Sequence, residues 1–291
     1  MKLGGLYTAL ITPFDEEGIL DVAGFRKNIR SQIDNGVDGI VPVGTTGESA
    51  TLNSEEHKMV VETAVDEAEG KIRVIAGTGS NNTSEALDYT QHAMDAGADA
   101  ALIITPYYNK PTQQGLIKHY TKIASSVDIP IVLYTVPGRT GVNIQPETTI
   151  ELSKIKNIVA IKDASGDLDQ VMKVLAGTED FTVLSGEDYL TYPILALGGD
   201  GVISVASNVA PDLMSELIHS AREGNWDRAR ELHYLLYPLF KVLFVETNPA
   251  PAKAALDLMG LPAGEPRLPL VGVSMESRDE IKKVLEALKL I

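Results

Sequence analysis

Lys162 closes the run Val159-Ala160-Ile161, and an amine at the end of an apolar run is placed for covalent chemistry. If the run is a strand with alternating side chains, Lys162 points into a water-poor interior. Leaving water costs an ammonium more than an amine, so the expectation is a lowered pKa and some free amine near neutrality. A free amine adds to a ketone and, on losing water, gives a Schiff base. The alternative is an ion pair with Asp163, Glu187 or Asp188. Tyr134 ends the preceding apolar run, one strand away if the two runs pair. Its phenol either passes protons to and from such an adduct or is a core or rim aromatic.

Two further groups suit acids. Thr45 and Thr46 sit in Gly44-Thr45-Thr46-Gly47-Glu48-Ser49, where small residues permit a tight turn that offers backbone N–H groups and hydroxyls to a carboxylate. Arg139, in VPGRTG, supplies a fixed cationic fork suited to a second carboxylate, or else a surface salt bridge. The glycines of this loop and of Gly77-Thr78-Gly79 match neither the dinucleotide fingerprint nor a phosphate-binding loop ending in Gly-Lys-Ser/Thr. His57, His92, His119, His219 and His233 show no metal-binding spacing, and the chain has no cysteine. A carbanion beside a carbonyl needs a divalent ion or an imine for stabilisation. With ligands for a metal missing, the imine on Lys162 is expected.

Such groups must be positioned by a scaffold. Apolar runs recur at 6–11, 39–43, 73–76, 100–105, 129–134, 158–162, 181–185 and 201–205. They lack polar alternation, as parallel strands covered on both faces do. Between and after them lie stretches of helical period at 21–36, 54–70, 83–97, 114–127, 146–156, 167–177, 187–198 and 211–224. Ser54 reads as the N-cap of the second, with Glu55 and Glu56 in its first turn, and Gly36, Gly70, Gly97 and Gly177 fall just past helix ends. Eight such units are most simply satisfied by a closed (β/α)8 TIM barrel over residues 1–224. Residues 225–291 read as a C-terminal helical extension packed on the barrel, with Leu235, Leu236, Leu239, Phe240, Leu243 and Phe244 as core. In a closed barrel, reactive groups collect at the C-terminal ends of the strands. There stand Thr12, Thr45, Thr46, Gly77, Thr78, Tyr107, Tyr108, Tyr134, Lys162, Asp163, Ser185, Gly186, Glu187, Ser207 and Asn208.

The 291 residues are 44% apolar and 22% charged, an ordinary globular composition. The formal charge of -15, with no basic run, argues against nucleic acid and anionic membrane surfaces. No apolar run approaches a membrane span and no cleavage site follows the first residues, so a cytoplasmic location is expected.

The GTTGES loop, ITPYYNKP ending at Pro111, the stretch from Tyr134 through Pro137, Arg139 and Gly141, Ile161-Lys162-Asp163, and ETNPAPAK ending at Lys253 together resemble the dihydrodipicolinate synthase family, end to end. The wider superfamily, with N-acetylneuraminate lyase and 2-keto-3-deoxy sugar acid aldolases, shares the barrel, the tyrosine and the lysine. GTTGE and PGRTG point to the synthase branch, and a pyruvate-dependent sugar-acid lyase or aldolase is the alternative. The resemblance implies condensation of pyruvate with L-aspartate 4-semialdehyde through an imine on Lys162, without an external cofactor or metal. It implies that Tyr134 relays protons through Thr45 to Tyr108. Thr46 then holds the pyruvate carboxylate and Arg139 the semialdehyde, Ile203 shapes the pyruvate side, and Gly186 belongs with the substrate-binding residues. It further implies a homotetramer built as a dimer of dimers, with Tyr108 shared across the tight dimer. The family's lysine feedback site, where present, uses positions matching Ser49, Ala50, Ser54, His57, Asn81, Glu85 and Tyr107. Ser54 stands where lysine-sensitive members have histidine, which counts against feedback here.

Overall fold

The apolar runs become strands because each is covered on both faces. In the computed structural model, which describes residues 2–291, the strands are β1 (Gly5–Ala9), β2 (Gly39–Val41), β3 (Arg73–Gly77), β4 (Ala100–Ile104), β5 (Ile131–Thr135), β6 (Ile158–Asp163), β7 (Thr182–Ser185) and β8 (Gly201–Ser204). Burial along them is near-continuous rather than alternating. They pair in parallel in chain order and close into an eight-stranded barrel. The expected (β/α)8 fold is therefore present.

The helices are α1 (Val22–Asp34), α2 (Ser54–Ala68), α3 (Thr83–Asp95), α4 (Gln113–Ala124), α5 (Pro137–Thr140), α6 (Pro146–Leu152), α7 (Leu168–Gly177), α8 (Thr191–Ala196), α9 (Pro211–Arg222), α10 (Trp226–Val242), α11 (Ala250–Leu258) and α12 (Met275–Ala287). The N-cap of α2 is Asn53, not Ser54. Asn53 Oδ1 accepts from the Glu56 amide at 2.9 Å while Glu56 accepts from the Asn53 amide, a reciprocal box that a serine one residue later cannot form. Gly177 is the last helical residue of α7 rather than its stop. The stretch 187–198 breaks into a 3₁₀ turn, Asp188–Leu190, followed by α8. The single turn α5 falls outside every stretch of helical period in the sequence. Pro137 opens that single turn and Gly141, at φ 72°, closes it.

By contact density the chain falls into two units: the residues up to Gly5 with Ile75–Ile203, and Leu6–Val74 with Ser204–Ile291. The first has its core between strand and helix layers, where Ile103, Leu116, Tyr120, Ile123, Leu133, Ile144, Ile161, Val171 and Val183 are all buried. Each such side chain contributes about 1.5–3 kcal/mol of transfer free energy. In the second unit, α10 packs on α9 and on α12, and α12 on α11. Leu236, Leu239, Phe240 and Leu243 are buried as expected, but Leu235 and Phe244 are 49% and 43% exposed. Leu235 lies off the face that α10 buries, and Phe244 lies past its C-terminal end. Among the described residues no helix is long and apolar enough to cross a membrane.

Candidate active site

Lys162 is the penultimate residue of β6, and its neighbour shows which way it faces. Asp163 accepts from the Ser165 amide (2.9 Å), the Ser165 hydroxyl (2.6 Å) and Gln170 Nε2 of α7 (2.7 Å), so it lies on the helix side of the strand. Alternation then turns Lys162 to the barrel interior, where it is 6% exposed. Asp163 is fully engaged outside, and no carboxylate among the described residues lies within 4.0 Å of Lys162 Nζ. The ion pair considered as the alternative role for this lysine is not formed.

Tyr134 is paired with Lys162 in the β5–β6 register. It is buried, and Lys162 Nζ lies 4.3 Å from the centroid of its ring. On the outside of the same two strands, Thr135 Oγ1 donates to Asn143 Oδ1 (2.8 Å) and Asn143 Nδ2 donates to Gln170 Oε1 (2.7 Å). With the Gln170–Asp163 bond this makes a chain of polar groups that ties the C-terminal ends of β5 and β6 together. Each partner in the amine–phenol pair is thus flanked by a residue anchored on the opposite face.

Beyond β7, Gly186 donates to Asp163 O at 2.6 Å, and a Cβ there would stand 2.7 Å from Ala164 Cβ. Only glycine permits this approach to the backbone that follows Lys162. Burial pushes the Glu187 carboxyl above its ordinary value, opposed by the charge of Lys162 and reinforced by Asp188. Arg139 is the penultimate residue of α5 and is exposed. Ile203 is buried in β8. Tyr107 and Tyr108 follow β4 in an exposed loop, and Tyr108 is 90% exposed with φ at 70°. In the same unit Asn81 and Glu85 lie at the start of α3, and Glu85 accepts from Ser80 Oγ.

In the other unit, the GTTGES loop turns through positive φ at Val43 and Glu48. Thr46 is buried and Thr45 half-buried. Thr12 Oγ1 donates to Gly47 O at 2.7 Å. Glu48, buried, takes Lys253 Nζ at 2.6 Å and the Arg267 amide at 2.9 Å. Burial lowers the Lys253 pKa and the Glu48 carboxylate raises it, with burial the larger effect. Asn248 Nδ2 donates to Thr46 Oγ1 at 3.0 Å. Ser49 and Ala50 follow in a 3₁₀ turn, Ser54 opens α2 exposed, and His57 is buried one turn on.

Several residues read as standing at strand ends serve the scaffold instead. Asn208 caps backbone at Ile11, Ala9 and Val205, Thr78 bonds Thr90, and the Ser185 hydroxyl donates to Glu187 O. The loop-fixing roles of Glu48, Lys253, Asn248 and Arg267 leave no signal in local spacing. ETNPAPAK was noticeable only as a motif, because nothing in its spacing says which loop it meets. The five histidines lie on five different helices, and among the described residues no group of three or more His, Cys, Asp or Glu could hold a metal ion.

Fold and site define a class: a parallel (β/α)8 barrel with a buried lysine that makes no ion pair and stands against a tyrosine at the ends of adjacent strands. The family model described as the dihydrodipicolinate synthetase family matches residues 2–288. A 4-hydroxy-tetrahydrodipicolinate synthase of Methanothrix thermoacetophila is 54% identical over 97% of this chain and 95% of its own. Among solved structures, a dihydrodipicolinate synthase superposes with a TM-score of 0.97 at 52% identity, covering 99% of this chain and 100% of that one. Another, described as the first monomeric dihydrodipicolinate synthase variant, superposes with a TM-score of 0.97 at 45% identity over 99% and 97%. The chain belongs to the dihydrodipicolinate synthetase family.

Proposed function

We propose that the protein condenses pyruvate with L-aspartate 4-semialdehyde to 4-hydroxy-tetrahydrodipicolinate, acting as a synthase of lysine and diaminopimelate biosynthesis. The observation that carries this is the Lys162 amine, buried, in no ion pair and 4.3 Å from the centroid of the Tyr134 ring. The amine attacks C2 of pyruvate, and the carbinolamine loses water to give an iminium. Its positive nitrogen takes up the electron pair left when a methyl proton departs, forming an enamine. The enamine carbon attacks the aldehyde carbon of the semialdehyde, and the new alkoxide accepts a proton. The amine of the semialdehyde then attacks C2, closing the ring and expelling Lys162.

Tyr134 moves the protons, passing them through Thr45 to Tyr108. Thr46 holds the pyruvate carboxylate, Ile203 and Gly186 shape the pyruvate side, and Arg139 binds the carboxylate of the semialdehyde. The imine takes the place of a metal or external cofactor. The assembly is a homotetramer, a dimer of dimers in which Tyr108 serves the neighbouring subunit, and it acts in the cytoplasm. The absence of a histidine at position 54 argues for an enzyme insensitive to lysine.

Incubation with pyruvate and borohydride, read by intact mass, tests the chemistry. One reduced pyruvate remnant per chain is expected, and none in Lys162→Ala. An unmodified wild-type chain overturns the imine. A panel of aldehydes assayed with pyruvate tests the substrate, and preference for a sugar aldehyde over the semialdehyde overturns the synthase assignment.

A further inference from the structure

The GTTGES loop is held residue by residue from distant parts of its unit. Thr12 holds Gly47 O, while Lys253 and Arg267 hold Glu48. Asn248 reaches Thr46 across 202 positions of sequence, and both side chains are 3% exposed. The first contacts fix backbone and a buried charge. The last one touches a hydroxyl, and a hydroxyl has a single proton.

Asn248 Nδ2 offers an N–H to Thr46 Oγ1 at 3.0 Å. That N–H occupies an acceptor lone pair of the hydroxyl, so the hydroxyl proton must turn away from the amide. A buried hydroxyl so constrained is a pre-aimed donor, and it loses less orientational freedom when an anion arrives than a free rotor does. We propose that Asn248 is a positioning residue that commits the Thr46 proton to the carboxylate of the keto acid. This inference rests on Thr46 holding that carboxylate. It extends the substrate-binding set to the segment that ends in Lys253. Asn248 and Lys253 lie five residues apart and grip loop positions 46 and 48, so the segment sets both the place of the loop and the direction of its hydroxyl.

A double-mutant cycle between Asn248→Ala and Thr46→Val, with the pyruvate KM and kcat measured at saturating semialdehyde, isolates the effect. Removing one hydrogen bond to a charged group costs about tenfold or more in affinity. Thr46→Val is therefore expected to raise the pyruvate KM by at least about tenfold. Asn248→Ala is expected to raise it severalfold in the wild-type background, with kcat falling by a smaller factor, and to add nothing in the Thr46→Val background. A packing role alone predicts equal effects in both backgrounds, and that result overturns the proposal. Should Asn248→Ala fail to fold, Asn248→Asp has the same shape but offers only acceptors, which capture the Thr46 proton. It is expected to raise the pyruvate KM by at least about tenfold, and an unchanged value overturns the proposal. If Thr46→Val raises KM and the Asn248 variants do not, the positioning role falls while the reading of Thr46 stands. If Thr46→Val leaves KM unchanged, both fall.

Discussion

An amine locked in an ion pair would spend its charge there; the Lys162 amine makes none and faces the Tyr134 ring instead. Asp163, adjacent in sequence, is turned outward and saturated by Ser165 and Gln170. This arrangement separates two functions that sequence proximity would confuse, because the carboxylate secures the strand and the amine faces the interior. Tyr134→Phe keeps the ring against Lys162 and removes the dissociable proton. Turnover is therefore expected to fall by about 10²- to 10⁴-fold, the usual worth of a positioned acid or base. Borohydride trapping of pyruvate at long times should persist, since the amine remains. Steady-state kinetics alongside intact mass check this, and unchanged turnover would remove Tyr134 from the mechanism.

The ends of β5 and β6 hold the Lys162–Tyr134 pair, and what aligns them is the outer chain Thr135–Asn143–Gln170–Asp163. Gln170→Leu leaves Asp163 Oδ2 and Asn143 Nδ2 without this partner in a buried setting, where each unsatisfied group costs roughly 1–3 kcal/mol. The urea midpoint should drop accordingly, with a smaller effect on the borohydride adduct. Helix packing makes a second expectation, this time for pH. Burial lowers His119 of α4 from 6.5 to about 4, with its Nδ1 2.9 Å from Thr83 Oγ1. Between those values the unfolded chain binds a proton that the folded chain does not. Stability is therefore lost as pH falls from about 6.5 toward about 4, by about 3 kcal/mol in total, with no change above that range. Denaturant unfolding at pH 7 and pH 4.5 should show a wild-type decline that His119→Gln lacks in this part. The strands, most helices and the Lys162–Tyr134 pairing were legible because burial on both faces leaves uninterrupted apolar runs, and because neighbours in chain order are neighbours in the barrel. The outer polar chain and the grip of Asn248 and Lys253 on the GTTGES loop were not. They join residues far apart in sequence whose types, Asn, Gln and Lys, look like solvent-facing residues until their partners are known. The N-cap at Asn53 and the turn at Pro137 were within reach, since the Asn-x-x-Glu box and the Pro-to-Gly bracket stand in the sequence.

At the scale of the whole molecule, Tyr108 is the residue that a single chain does not explain. Its φ of 70° places a bulky side chain where few non-glycine residues go, and the ring is 90% exposed. Strain of this kind persists where surrounding structure over-determines it, yet this chain buries almost none of the ring. In the proposed assembly, a neighbouring subunit that takes Tyr108 into its own site supplies the missing contact. Co-expression of Tyr108→Phe with Lys162→Ala tests this directly, since each parent lacks a group needed for turnover. In a hybrid dimer with exchanged tyrosines, the chain that keeps Lys162 receives an intact Tyr108 from its partner, and one site of the two is complete. Random pairing makes half of the dimers hybrid, so about a quarter of wild-type activity should return. If Tyr108 served its own chain, every site in the hybrid would lack either the amine or the phenol. Differently tagged subunits that co-purify as hybrids yet stay as inactive as the parents would exclude the exchange.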